Sequence, residues 1–292
     1  MDKSIGWELY RTFLSVLKEG SLSAAARALG ITQPTAGRHI AALERALGIA
    51  LFTRAPDGLK PTDNALGLRI YAETMESTAA SFKRAASGQG AGVRGVVRVS
   101  ASEVMGVEIL PPVIAQLQEV HPALKVELVL SNRVQDLLRG EADIAVRMVR
   151  PEQTQLLARR VANIQVGLYA RNDYLALRGT PKRLEDLADH TLIGYDQGDA
   201  FVRKASLAFP FFNQAVFSIR SDSDLAQLSF IRNGAGIGGC QVGIAVRDAT
   251  LIRLFRKEFT MELEVWVTMH EDLRNSPRCR VMFDALVAAL DN

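Results

Sequence analysis

Ser21-Leu-Ser-Ala-Ala-Ala-Arg-Ala-Leu-Gly30, followed by Thr32-Gln33-Pro34 and a run to Gly48, is the stretch on which the fold of this 292-residue chain turns. Ser21 suits an N-cap, Leu22, Ala25, Ala26 and Leu29 recur at helical spacing, and Gly30 closes the helix. Thr32 caps a following helix whose inner face is Ala36, Ile40, Leu43 and Leu47. Ala26, four residues before Gly30, is small enough to let the two helices cross closely, and Ile31, Ala36 and Ile40 supply a shared core. Upstream, Leu9, Phe13, Val16 and Leu17 mark a first helix ending at Gly20. Three short helices with tight turns form a helix-turn-helix.

In that arrangement the start of the third helix points into the DNA major groove, presenting Thr32, Gln33, Thr35, Arg38 and His39. Gln33 has the two-pronged amide that reads an adenine edge, and Arg38 reaches a guanine or a phosphate. Leu51 and Phe52 then give a short strand, Pro56, Asp57 and Gly58 a turn, and residues 59 to 62 a return, which together make a wing. The candidate DNA contacts are Ser21, Ser23, Thr32, Gln33, Pro34, Thr35, Arg38, His39, Arg54, Lys60 and Thr62, with Arg54 and Lys60 on phosphates. The alternative is an ordinary helical subdomain with a solvated basic face.

Charge favours the first reading. Of 35 Lys and Arg and 32 Asp and Glu, residues 1 to 90 hold 11 and 8, which leaves 24 of each for the rest. The whole excess of +3 lies in the first third, as a polyanion-binding end requires.

Residues 21 to 30, Thr32-Gln33-Pro34, Ile40, Leu43-Glu44, Leu47-Gly48, Leu51-Phe52 and Arg54 resemble the DNA-binding domain of LysR-type transcriptional regulators over about 60 residues. Two positions depart from that family. Gly37 stands where it usually has a serine, which removes a hydroxyl otherwise available to a phosphate, and Ala65 stands where a glycine is usual. A glycine inside a helix costs about 1 kcal/mol relative to alanine.

From residue 65 the apolar positions are Ala65, Leu68, Ala72, Met75, Ala79, Phe82 and Ala86, alternating steps of three and four. That is a coiled-coil period. The resemblance implies a dimerising linker helix with Leu68, Ala72, Met75, Ala79 and Phe82 at the seam; a helix packed on its own chain's domain is the other reading. Gly88, Gly90 and Gly92 mark a hinge and domain boundary.

Beyond the hinge, strand patterns at residues 96 to 100, 125 to 130 and 143 to 147 alternate with helix patterns at 103 to 120 and 133 to 139. Further strands are read at 164 to 170, 191 to 195, 215 to 219, near Ile237 and at 265 to 270, with a helix over 222 to 232 and another at the end. Such alternation indicates parallel sheet. Leu110-Pro111-Pro112, His121-Pro122, residues 140 to 145 and Gly234-Ala235-Gly236-Ile237-Gly238 are similar to the effector domain of LysR-type regulators. The resemblance implies an α/β chain in three parts: a winged helix-turn-helix over 1–62, a linker helix over 63–90, and a two-lobed effector domain over 91–292 of the periplasmic-binding-protein-like type 2 fold. Lobe I would comprise about 91–162 and 269–292, and lobe II about 163–268.

Ligands of open parallel sheets sit at the carboxyl ends of the strands. The residues there are Ser100, Ser102, Ser131, Asn132, Arg147 and Met148 from one lobe and Gly198, Phe201 and Ser223 from the other. Arg147 suits a bidentate clamp on an anion, so the expected effector is a small, polar, anionic molecule.

Enzymatic readings are weaker. Gly234-Ala-Gly236-Ile-Gly238-Gly239 contains Gly-x-Gly-x-x-Gly, but a dinucleotide site needs a strand before it and a helix after it; here a helical pattern precedes, as in a helix C-cap leading into a strand. Cys240 has no histidine nearby, and His39, His121, His190 and His270 lack metal-ligand spacing. The expectation is a non-enzyme without cofactor or metal, the alternative being a solute-binding or enzymatic α/β domain behind an incidental helical N-terminus. With no signal-peptide run and no 18-residue apolar stretch, the chain is expected in the cytoplasm, off the membrane. Its expected partners are duplex DNA at a promoter or operator, a small effector, RNA polymerase and further copies of itself, as a homodimer and, as the family commonly does, a homotetramer.

Overall fold

The computed structural model describes residues 5–55, 58–87, 92–132, 137, 141–151, 155–197 and 216–291. The chain divides into two compact units near residue 86, each described on its own.

In the first unit, α1 (Trp7–Glu19), α2 (Leu22–Leu29) and α3 (Gln33–Leu47) precede the hairpin of β1 (Phe52–Ala55) and β2 (Gly58–Pro61), and α4 (Asp63–Ser87) follows. Ser21 accepts from the Ala24 amide at 3.2 Å and Thr32 from the Thr35 amide at 3.4 Å, so each cap satisfies a donor the helix leaves open. Gly30, at φ 68°, adopts the left-handed turn that returns the Ile31 amide to the Ala26 carbonyl at 3.0 Å. Phe13, Leu14, Val16, Ala25, Ile40, Leu43 and Leu51 form the core, with Phe13 and Phe52 rings 5.9 Å apart. Leu47, expected on the inner face, lies at the rim, 37% exposed.

The seam along α4 divides in two. Ala65 and Ala72 are buried in the core of this unit and Leu68 packs beside them, so the first half of the seam is taken by the chain's own helices. Met75 and Ala79 are half-buried and Phe82 is 75% exposed. Ala72 is therefore corrected from a partner-facing to an inward-facing residue: at 4% exposure it has no surface left to offer.

The second unit is one mixed sheet in two lobes. The first lobe holds β3 (Gly95–Ala101), α5 (Leu110–Val120), β4 (Leu124–Leu130) and β5 (Ile144–Arg147). The long strand β6 (Leu156–Arg171) crosses to the second, which holds α6 (Asn172–Arg178), β7 (Leu192–Gly194), β8 (Ile219–Arg220), α7 (Asp224–Arg232), β9 (Ile237–Gln241), α8 (Val242–Ala245) and β10 (Leu251–Leu254). β11 (Met261–His270) returns antiparallel to β6, and α9 (Pro277–Leu290) closes on the first lobe. Strand order is β4-β3-β5-β11-β6-β9-β7-β8, with β10 on β6. Each lobe thus has a parallel trio, β4-β3-β5 or β9-β7-β8, as the alternation predicts, completed by the antiparallel crossover strands. Val265, Val267 and Met269 already lie in the first lobe's core, so the return crossing comes slightly before residue 268.

A π-turn, Met105–Ile109, interrupts the helix expected over 103 to 120. Pro111 and Pro112 come one residue after it; neither carries an N–H, so the regular ladder lacks two donors at this point. The expected helix over 133 to 139, apart from Leu137, and the hinge glycines Gly88 and Gly90 lie outside the described residues.

Candidate nucleic-acid interface and effector cleft

Thr32, Gln33, Pro34 and Arg38 are exposed along one edge of α3, with Thr35 and His39 half-buried beside them. Thr32 and Thr35 hydroxyls lie 2.9 Å apart and Arg38 Nη2 donates to Thr35 Oγ1 at 3.1 Å, a chain that holds the guanidinium along the helix surface. His39 Nδ1 meets the buried Thr12 hydroxyl at 2.8 Å, which orients the ring and leaves Nε2 as its outward edge. Gln33 makes no such bond among the described residues and is exposed. Lys60 is exposed on β2, Ser23 is half-buried, and Arg54 has its place in the hairpin opposite Leu59.

Two candidates have other work. Thr62 donates to the Ala50 carbonyl at 2.9 Å and accepts from the Ala65 amide at 3.2 Å, so its hydroxyl ties the wing to the start of α4. Ser21 uses its oxygen to cap α2. Conversely Glu44 escaped the list of contacts although it sets the wing: Oε1 accepts the amides of Leu51 at 2.8 Å and Phe52 at 3.2 Å. A glutamate directly after the core residue Leu43, near the helix end that leads into the wing, was the available signal.

In the second unit Ser100, Ala145 and Arg147 lie on one face of the parallel trio, opposite the face that packs on α5 and α9. Arg147 is 8% exposed, donates to Ser100 Oγ at 2.6 Å and to the Val146 carbonyl at 2.9 Å, and has no carboxylate partner among the described residues. Among the described residues its Nε is buried without an acceptor, and the hydroxyl of Ser102 is buried without a partner as well. Burial pulls the guanidinium down to about 10. A buried, half-satisfied cation at the carboxyl ends of β3 and β5 is costly by itself and is relieved by an anion.

The other candidates sort differently. Asn132 accepts from the Glu103 amide at 3.1 Å and donates to Asp224 Oδ2 at 3.1 Å, while Tyr195 donates to Asp224 Oδ1 at 2.8 Å. Ser223 caps α7 and donates to Glu103 Oε2 at 2.6 Å. Asn132 and Ser223 therefore bridge the two lobes. Met148 Sδ receives Gln241 Nε2 at 3.9 Å, a third crossing, and Arg232 grips Glu108 with both nitrogens at 2.6 and 3.2 Å, a fourth. Ser131 sits half-buried at the end of β4, its amide on the Ala101 carbonyl at 2.9 Å. Gly198 and Phe201 lie outside the described residues. Glu103, Asp224 and Tyr195 went unnoticed in the sequence, since each makes its contact across at least 29 positions.

The glycine run after α7 is a helix ending. Gly234, at φ 70°, lets its own amide reach Ile231 and that of Ala235 reach Phe230, both at 3.0 Å, before β9 begins. Cys240 is buried and its thiol is pushed up to about 12, the wrong direction for a nucleophile. Among the described residues no group of three or more His, Cys, Asp or Glu is arranged for a metal, and no helix is long and apolar enough to cross a membrane.

Comparison with known proteins gives the same division. The HTH-type transcriptional regulator CrgA of Neisseria meningitidis serogroup B is 26% identical over 287 residues, 96% of this chain and 95% of that one. An HTH-type transcriptional regulator of Xanthomonas campestris is 28% identical over 181 residues, 61% of this chain but only 52% of its own length. The solved structure of CrgA covers 98% of this chain and 99% of its own at 25% identity and a TM-score of 0.59. That of CbnR, a LysR family transcriptional regulator, covers 98% and 100% at 17% and 0.69, a likeness of fold alone. The model of the bacterial regulatory helix-turn-helix protein of the lysR family matches residues 7–66 and that of the LysR substrate binding domain residues 90–291, and the chain belongs to the LysR family of transcriptional regulators.

Proposed function

We propose that this regulator reads an operator with α3 and the β1–β2 wing and is switched by a small organic anion held between its lobes at Arg147. The observation that carries the second half is the buried Nε of Arg147, without an acceptor among the described residues, with the Ser102 hydroxyl at the end of β3 likewise unpartnered among them. An anion there converts a desolvated charge into a charge-assisted pair. Because Glu103, Asn132, Ser223 and Asp224 link the lobes at the same level, an anion that favours one lobe spacing over another shifts a conformational equilibrium rather than merely filling a hole. Two chains joined along the outer half of α4, through Met75, Ala79 and Phe82, present two copies of α3 to two half-sites. A homotetramer at a cytoplasmic promoter, in contact with RNA polymerase, extends this arrangement.

The test is thermal unfolding of the full chain against a panel of small carboxylic acids, with Arg147→Met in parallel. A ligand at 100 times its Kd adds about 2.7 kcal/mol to the wild type. The same stabilisation of Arg147→Met would place the anion elsewhere.

A further inference from the structure

The second lobe holds a pocket that shares no residue with the cleft candidates. Its volume is about 290 Å³, at the lower end of the range for small-molecule sites. One wall is apolar, built from Val242, Ala245, Val246 and Leu251. The other is polar and cationic. Tyr169 and Arg253 are direct partners across the β6–β10 pair, so their side chains rise from the same face of the sheet. Gly167 lies two residues before Tyr169 on that face, and a Cβ there would come within 2.9 Å of Arg253 Nε, so the glycine makes room for the guanidinium.

The polar groups are not used up within the protein. Among the described residues Arg253 Nε is buried without an acceptor, and the side chain's one hydrogen bond, to Thr260 Oγ1, is long at 3.4 Å. Arg256 also lines the pocket, and neither arginine is ion-paired among the described residues. The Tyr169 hydroxyl has no hydrogen-bond partner among them, and burial pushes it up, against the pull of the two arginines, so it remains a donor at neutral pH. Asp248, the one acid in the lining, is occupied: its Oδ1 accepts from the Thr250 amide at 3.0 Å and the Thr250 hydroxyl at 2.6 Å. Two guanidinium groups against one carboxylate leave an excess of positive charge facing an apolar wall.

We propose that this pocket is a second ligand site, separate from the Arg147 cleft, for a short monocarboxylate with an apolar tail, the carboxylate held by Arg253 and Tyr169. Unpaired donors in a concave apolar setting select an acceptor of that kind over water or a neutral molecule of the same shape.

The test is titration calorimetry of the full chain with 4-methylpentanoate and with its neutral amide, 4-methylpentanamide, on the wild type and on Arg147→Met, Arg253→Gln and Val246→Glu. Val246 is 72% exposed, so its replacement sets a negative charge at the rim without disturbing a core, and it carries the test if Arg253→Gln misfolds. The acid is expected to bind the wild type and Arg147→Met alike, at least tenfold more weakly to Arg253→Gln and Val246→Glu, and at least tenfold more tightly than the amide. Binding lost in Arg147→Met but kept in the two pocket variants would assign the acid to the cleft and overturn the proposal. Equal binding of acid and amide, or no binding of the acid, would also overturn it. Since Arg147→Met leaves this pocket untouched, failure here is distinct from failure of the cleft reading.

Discussion

Ser223, the cap of α7 in the second lobe, donates to Glu103 in the first at 2.6 Å while accepting from the Ala226 amide at 3.3 Å. One hydroxyl therefore starts a helix and holds two lobes together. The two roles separate by substitution. Ser223→Ala removes both and is expected to lower stability by about 1 kcal/mol through the lost cap. Ser223→Asp keeps a capping oxygen but sets a carboxylate against Glu103, so stability to urea should fall less than in Ser223→Ala while the lobes separate. Small-angle scattering against the wild type checks this: a larger radius of gyration is expected in Ser223→Ala and a still larger one in Ser223→Asp, and wild-type curves from both variants would remove the contact from the opening of the cleft.

Arg147 gives an unusual stability prediction. Burial opposes the charge and pulls the guanidinium from the usual arginine range down to about 10 in the folded chain. A lowered base is a penalty below pH 10, present in full at neutral pH, and only from about pH 10 up to the usual arginine range does the unfolded chain hold the extra proton, so there stability rises with pH. At 1.36 kcal/mol per unit the penalty is about 3 kcal/mol, offset in part by two hydrogen bonds of about 1 kcal/mol each. Arg147→Met should thus be about 1 kcal/mol more stable than the wild type at pH 7.5, although it loses effector binding. A destabilised Arg147→Met in urea titrations would mean that the arginine is a structural strut.

The two halves of α4 should respond oppositely to charge. Ala72 is 4% exposed inside its own unit, so Ala72→Glu buries a carboxylate without a partner and is expected to unfold the winged unit. Phe82, 75% exposed, tolerates Phe82→Glu without loss of secondary structure, but the repeated charge should drive dimers to monomers in sedimentation equilibrium. Dimers that persist in Phe82→Glu would move the interface off this helix.

The three-helix reader was legible because every device in it is local: Ser21, Gly30 and Thr32 each act within five residues. Arg147 was legible for a similar reason, since a strand end is a position in sequence. The lobe bridges were not, because Glu103 and Ser223 lie 120 residues apart and each is an ordinary polar residue until the sheet places them together. The α4 seam was half legible. A heptad period states that a stripe will be buried, but which surface buries it is decided by helices α1 to α3, whose core extends just far enough to claim Ala65 and Ala72. The tie that Thr62 makes between the wing and α4 was not legible, because a hydroxyl at a loop looks the same whether it faces phosphate or caps the next helix.

Gly37, Gln33 and Lys60 are expected to respond in three distinguishable ways in DNA binding. A Cβ on Gly37 would meet only Leu22 Cδ1, at 3.9 Å, so a side chain fits there without strain. Gly37→Ala should stabilise α3 by roughly 0.5 to 1 kcal/mol through helix propensity. Gly37→Ser should bind all duplexes more tightly, since it restores a hydroxyl near the phosphates without touching a base. Gln33→Ala should leave binding to scrambled duplex unchanged and weaken the matched site by roughly 1 to 3 kcal/mol, because only a base-reading side chain distinguishes the two. Lys60→Ala should weaken both sites alike and lower the slope of log affinity against log salt by about one. If Gln33→Ala weakens matched and scrambled sites equally, α3 is gripping the backbone and sequence is being read elsewhere, with the outward edge of His39 next in line.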